Sequence, residues 1–336
     1  MKAWHIENDD GIDALKLVDV EIGDPGPGEV RVRMHASSIN RRDMNTVLAP
    51  SARKTPLPRI PNSDGAGEVV AVGAGVTEFI PGDRVASCFF KRWQAGRITA
   101  PVMASALGGA EEGMLSEETI LPEGALVHLP KRLSWDEAGT LTCAGVTAWH
   151  ALVSRGGLIA GQSVLLLGTG GVSIFGLQFA KMMGARVIIT SKSDEKLERA
   201  RAMGADETIN YRDTPDWEKA VMDLTDGVGV DHVVEVGGAG TLQKSVSALA
   251  FGGHIGLIGV LTQGELNPLP LMGKSGRLSG IYVGNREMFQ NMNAAIDASK
   301  MKPVIDRTFG FDDARAAYHC MQGDGHFGKI VIRVAS

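Results

Sequence analysis

At 336 residues the chain is long enough for two domains of roughly 100–200 residues each, and for a core that needs no disulfide or metal staple. Hydrophobic residues at 44% and charged residues at 22% are ordinary for a soluble globular protein, and a net charge of −5 argues against a nucleic-acid partner. No apolar run approaches the roughly 18 residues of a membrane span, and the three cysteines, Cys88, Cys143 and Cys320, are too few and too scattered for a disulfide framework. The start, Met1-Lys2-Ala3-Trp4-His5, has no apolar stretch and soon reaches Asp9-Asp10, so no secretion signal and a cytoplasmic location are expected.

Up to residue 125 the chain reads as mostly β. Residues 29–36 alternate, with Val30, Val32, Met34 and Ala36 on one face and Glu29, Arg31, Arg33 and His35 on the other, as in a strand with one wet face. Residues 65–73 form a short apolar strand bounded by glycines, and Pro81-Gly82-Asp83-Arg84-Val85 is a turn into another. After about residue 126 the texture changes. Apolar runs at 163–167, 186–190, 232–236, 254–260 and 278–283 read as buried parallel strands. Helical patterns at 172–183 and 193–203, ended by Gly184 and Gly204, separate the first three. Ser193 suits an N-cap, with Asp194 and Glu195 in the first turn where the helix end is positive. Such alternation predicts a doubly wound α/β sheet. Residues 286–299 predict a helix and 329–334 a final strand. The chain is thus divided into a mainly-β domain, 1–125 completed by 286–336, and a doubly wound α/β domain, 126–285.

The sharpest motif is Leu167-Gly168-Thr169-Gly170-Gly171-Val172-Ser173, between the strand at 163–167 and the helix that follows. A dinucleotide's diphosphate needs bare backbone amides at a helix start, and glycine permits the approach. Ser173 stands where the third glycine of the pattern belongs. At the end of the second strand, where an acid would take a ribose 2′-hydroxyl, the chain has Thr190-Ser191-Lys192-Ser193. Ser191, Lys192 and Lys196 suit a 2′-phosphate better, so NADP(H) is favoured over NAD(H).

Three N-terminal segments, Pro25-Gly26-Pro27-Gly28-Glu29-Val30, Ser38-Ile39-Asn40-Arg41-Arg42-Asp43 and the run from Ile60-Pro61-Asn62-Ser63-Asp64-Gly65 to Gly73, together with Cys143-Ala144-Gly145-Val146-Thr147-Ala148-Trp149, carry a resemblance over nearly the whole chain. It resembles the medium-chain dehydrogenase/reductase superfamily and, within it, the zinc-free quinone reductase-like branch. The resemblance implies a GroES-like catalytic domain followed by a Rossmann domain. In the metal-dependent members a Cys, a His and a second Cys hold the catalytic zinc. In register these fall on Asn40, Ser63 (followed by Asp64) and Cys143, and the lobe that would hold a structural zinc, near 88–115, contains only Cys88. One ligand of three does not make a catalytic zinc site, so no zinc is expected.

Without a Lewis acid, reduction of a polarised acceptor by NADPH is the expected chemistry, with a quinone or an α,β-unsaturated carbonyl as substrate. Two alternatives are an alcohol dehydrogenase or aldehyde reductase, which needs zinc, and an NADPH-binding module without turnover. The resemblance places Asn40 against the substrate, with Arg42 and Asp43 beside it as the remaining catalytic candidates and Asp64, Phe89, Trp93 and Trp149 lining the pocket. It further assigns cofactor contacts to Thr147, Tyr211, Gly237, Gly259, Val260, Gly284, Asn285 and Lys329, the last reaching the diphosphate. It also implies a homodimer formed through the last strand of the Rossmann sheet, residues 278–283.

Overall fold

The structure, a computed structural model, describes residues 1–259 and 261–335. It divides into two compact units, Met1–Val146 with Gly284–Ser336, and Thr147–Val283. The first unit opens with β1 (Lys2–His5), β2 (Lys16–Asp19), β3 (Glu29–Ile39), β4 (Asp64–Val72), β5 (Arg84–Ser87), β6 (Glu118–Pro122) and β7 (Leu126–His128). The second contributes β8 (Ser163–Leu167), β9 (Arg186–Ser191), β10 (Glu207–Asn210), β11 (Val230–Glu235), β12 (Leu249–Leu257) and β13 (Arg277–Gly280). The chain then returns to the first unit for β14 (Ile305–Gly310) and β15 (Lys329–Arg333).

In the first unit β3 is the hub, pairing antiparallel with β4, β6 and β15. Its alternation does what period 2 dictates: Val30, Val32 and Met34 face a core with Val69, Val85, Leu121 and Leu126. The strand runs three residues past the stretch read from alternation, because Ser37, Ser38 and Ile39 are buried and the wet face has ended. Ile39 joins a second core with Trp4, Met44, Tyr318 and Ile330, built from both ends of the chain.

The second unit is one parallel sheet in the order β10-β9-β8-β11-β12-β13. Strand succession reverses between β8 and β11, the point where such sheets open a crevice at their carboxyl edge. Leu165, Ile188, Val233 and Ile255 from four strands pack with Trp217, Val221, Leu242 and Val246 from two covering helices.

Two sequence readings shift. The boundary drawn at 125/126 lies at 146/147 in the contact pattern, because β7 hydrogen-bonds to β5 and the helix Trp135–Ala138 packs on β3 and β4. Strands β10 and β14 escaped notice because their residues are mostly half-exposed, only Ile209 being buried, and carry no clean alternation. No helix among the described residues is long and apolar enough to cross a membrane.

Candidate functional site

The carboxyl edge of the parallel sheet collects the predicted cofactor residues of the second unit. After β8 the chain turns at Gly168, whose φ of 71° is the left-handed region that favours glycine. A Cβ at Gly168 or Gly170 would meet nothing within 4 Å, so these two glycines border open space. The helix Gly171–Met182 starts there with no side chain capping it. Its first-turn amides lack intrahelical partners, and the helix end carries about half a positive charge. That is a cradle for a diphosphate. Val172 and the buried Thr169 belong to the same turn. Ser173 is buried and its hydroxyl donates to the Leu167 carbonyl at 2.7 Å, tying helix to strand. The close packing usually left to the third glycine falls on Gly176, where a Cβ would stand 3.0 Å from Leu166 Cδ2.

Ser191 ends β9, buried, and its carbonyl accepts from the Tyr211 amide at 3.0 Å, which brings Tyr211, 38% exposed, beside the strand end. Lys192 follows, half-buried. Ser193 caps the next helix by accepting from the Lys196 amide at 3.4 Å, which commits Lys196 to the first turn. Asp194 accepts from the Asn210 side chain at 2.8 Å and stays exposed, so no acid occupies the end of β9. Past β11, Gly237 donates to Glu235 Oε1 at 2.7 Å, and past β12 a Cβ on Gly259 would overlap the Val236 carbonyl. Val260 lies outside the described residues.

Sequence reasoning missed Glu235. Fully buried, it accepts from the amides of Gly237 and Gly238, at 2.7 and 3.0 Å, and from the hydroxyls of Thr241 and Ser245, at 2.6 and 2.5 Å. A carboxylate holding two glycine amides shapes the loop after β11. The available signal was an acid at a strand end followed by Gly-Gly.

In the first unit Asn40, Asp43 and Asp64 form one buried cluster with Lys329. Asn40 leads the helix Arg41–Leu48 and shares a capping box with Asp43. Asp43 Oδ2 accepts from the Asn40 backbone at 2.9 Å and from Nδ2 at 3.1 Å. Asp43 Oδ1 accepts from Arg42 at 3.1 Å and from the Ser63 amide at 3.2 Å. Burial pushes the Asp43 carboxyl up, opposed by the Arg42 guanidinium. Arg42 also donates to the Leu107 carbonyl at 2.6 Å and lies over the Phe89 ring. Asp64 accepts from Ser38 at 2.7 Å, Ser63 at 3.0 Å and Lys329 at 3.3 Å. Asn62, at a left-handed φ of 68°, supports this floor: it donates to Ser37 and accepts from the buried Tyr318 hydroxyl.

Several predicted site residues go elsewhere. Lys329, assigned to a diphosphate, is 2% exposed and turns its ammonium into this cluster. Asp64, assigned to the pocket wall, is sealed beneath its hydrogen-bond partners. Phe89 and Trp93 are buried, each edge-on to Phe90, and the Trp93 indole donates to the Gly96 carbonyl. Their aromatic area is used to pack the lobe rather than to line an opening. Trp149 is buried edge-on to Phe179 in the second unit's core. Asn285 caps the helix Arg286–Ser299 by accepting from the Met288 amide at 2.8 Å, so its side chain is committed to structure. A Cβ on the neighbouring Gly284 would press on Val146 at 2.6 Å. Thr147 is buried at the start of the second unit.

A parallel sheet in this order, with a glycine cradle at its switch point, defines a dinucleotide-binding fold. Residues 26–131 match the alcohol dehydrogenase GroES-like domain and 171–298 the zinc-binding dehydrogenase family. The chain is 42% identical to a zinc-type alcohol dehydrogenase-like protein of Schizosaccharomyces pombe, covering 96% of each. It is 27% identical to human quinone oxidoreductase over 99% of this chain and 97% of that one. The crystal structure of a putative alcohol dehydrogenase from Sinorhizobium meliloti superposes with a TM-score of 0.92 at 43% identity, covering 99% and 98% of the two chains. The chain belongs to the medium-chain dehydrogenase/reductase superfamily, in its quinone reductase-like branch, and is an NAD(P)H-dependent oxidoreductase.

The zinc in the matching family's name does not suit the residues in place. Among the described residues no group of three or more His, Cys, Asp or Glu side chains is arranged to hold a metal. Cys143 is the one thiol at the three expected ligand positions, where Asn40 and Ser63 stand at the other two. Asn40 and Asp64 are engaged by an ammonium, which repels a second cation.

Proposed function

We propose that the protein is a zinc-independent, NADPH-dependent reductase of quinones or α,β-unsaturated carbonyls. The observation that carries this reading is the Lys329 ammonium seated between Asn40, which stands at the position of a zinc-ligating Cys in metal-dependent relatives, and Asp64, the neighbour of a second such position, Ser63. The quinone oxidoreductase relative agrees with the substrate class. NADPH fits the cradle at Gly168–Ser173, with Ser191 and Lys192 for its 2′-phosphate and Tyr211 beside them, and when bound it supplies the hydride. Asn40 donates to the acceptor oxygen as negative charge builds there, the kind of preorganised donor that lowers such barriers. Among the described residues the carboxyls beside Asn40, Asp43 and Asp64, are buried and taken up by hydrogen bonds, so solvent completes the reaction.

The protein is further proposed to be a homodimer through β13, which ends the sheet with an unpaired edge. Such an edge invites pairing, although the strand, Arg277–Gly280, is shorter than the run at 278–283 suggested.

A panel of quinones, enones, aldehydes and alcohols with NADPH and NADH, run beside metal analysis, tests the function. Reduction of a quinone or enone by NADPH without bound zinc is expected. Stoichiometric zinc with alcohol oxidation would overturn the proposal.

A further inference from the structure

The pairing of β15 with β3 sets Ile330 opposite Ile39, so Lys329 lies beside Asn40 although 289 residues separate them. The Lys329 side chain is 3% exposed, and a buried ammonium persists only when its protons are satisfied. It has three protons and three acceptors: the Ile39 carbonyl at 3.1 Å, Asn40 Oδ1 at 2.5 Å and Asp64 Oδ2 at 3.3 Å. Nothing is left over for a phosphate.

Asn40 is held from both ends. Lys329 can only donate, so the amide oxygen must face it. The Asp43 carboxylate accepts, so the amide nitrogen must face that side, at 3.1 Å. A flipped amide would set oxygen against carboxylate and NH2 against ammonium, two repulsive contacts. One Nδ2 proton is spent on Asp43, and the other has no partner among the described residues, while Asn40 keeps 7% exposure. An ammonium on Oδ1 draws charge from the amide and strengthens that remaining proton as a donor.

We infer that Lys329 is a positioning residue: with Asp43 it locks the Asn40 amide so that one Nδ2 proton is presented to the acceptor oxygen. This rests on the reductase reading for its substrate. The disagreement between donor set and zinc thereby gains a reason, since a fixed, ammonium-polarised amide supplies the positive pole.

The test compares wild type, Lys329→Met, Asn40→Ser and the double variant. Lys329→Met/Asp64→Asn, which removes both charges together, guards against simple misfolding. Expected are an NADPH Kd within about twofold of wild type by calorimetry, a fall in kcat of about 10²-fold with KM nearly unchanged, and no further kcat loss when Lys329→Met is added to Asn40→Ser. Side-chain amide NMR of the full-length protein should show Asn40 protons with distinct, exchange-protected shifts that collapse in the charge-balanced variant. A weakened NADPH Kd with kcat intact would overturn the inference in favour of a diphosphate contact, and additive kcat losses would overturn it in favour of a merely structural role. If wild type reduces no quinone or enone, the functional reading fails while the NMR comparison still decides the positioning: unchanged Asn40 shifts sink it and collapsed shifts support it.

Discussion

Ser173 shows how a departure from a motif is compensated by one atom. Its hydroxyl bond to Leu167 is buried, so Ser173→Ala should cost about 1 kcal/mol in urea denaturation, with a small rise in NADPH Kd. At the end of β9, Lys192 stands where a carboxylate would select the 2′-hydroxyl. Lys192→Glu should weaken NADPH at least tenfold, roughly 1.4 kcal/mol, and leave NADH nearly unaffected. Equal losses for both cofactors in calorimetry would remove Lys192 from the 2′-phosphate site.

Between neighbouring strands, two arrangements determine how the second unit responds to mutation and to acid. Glu235 at the end of β11 holds two amides and two hydroxyls. Glu235→Ala strands them, at about 1–3 kcal/mol for each that stays unsatisfied, so a loss of roughly 3 kcal/mol in urea denaturation is expected, with weaker cofactor binding as the loop after β11 loosens. His232 on β11 and His254 on β12 are paired in register, both buried, with ring centroids 6.0 Å apart. Burial, with Arg277 next and then His232, Arg155 and His150, pushes His254 from 6.5 down to about 4, and burial also lowers His232 against the pull of Asp231. Above pH 6.5 the ring is neutral folded or unfolded and contributes nothing. As pH falls from 6.5 towards 4 the unfolded chain takes up a proton that the folded one refuses, so stability is lost across that window. Melting temperature should decline there, and His254→Phe should flatten the decline. A melting temperature constant from pH 7 to 4 would contradict this.

For the molecule as a whole, the free edge of β13 leads to a mass measurement. Light scattering should report twice the monomer mass, and Gly280→Pro, which deletes an amide facing away from β12 (the adjoining Ile281 amide pairs with Leu257), should shift it towards monomer. Treatment with a strong chelator should leave reductase activity and melting unchanged, since the charge at the centre of the first unit is an ammonium.

Much of this architecture could be read from the sequence, because period-2 alternation in β3, apolar runs in β8 and β9 and the glycines at 168 and 170 are local consequences of backbone geometry and burial. The substitutions at Asn40 and Ser63 were equally legible, and metal analysis decides the expectation drawn from them. Contacts formed across long separations were not legible. The resemblance assigns Lys329 to a diphosphate, and only the β15–β3 pairing carries it 289 residues back to Asn40. Phe89, Trp93 and Trp149 carry no mark that separates a pocket wall from a core, since both want apolar area, and packing alone assigned them inward. Local propensity is written residue by residue, whereas the partner of a buried charge is decided by which strands meet.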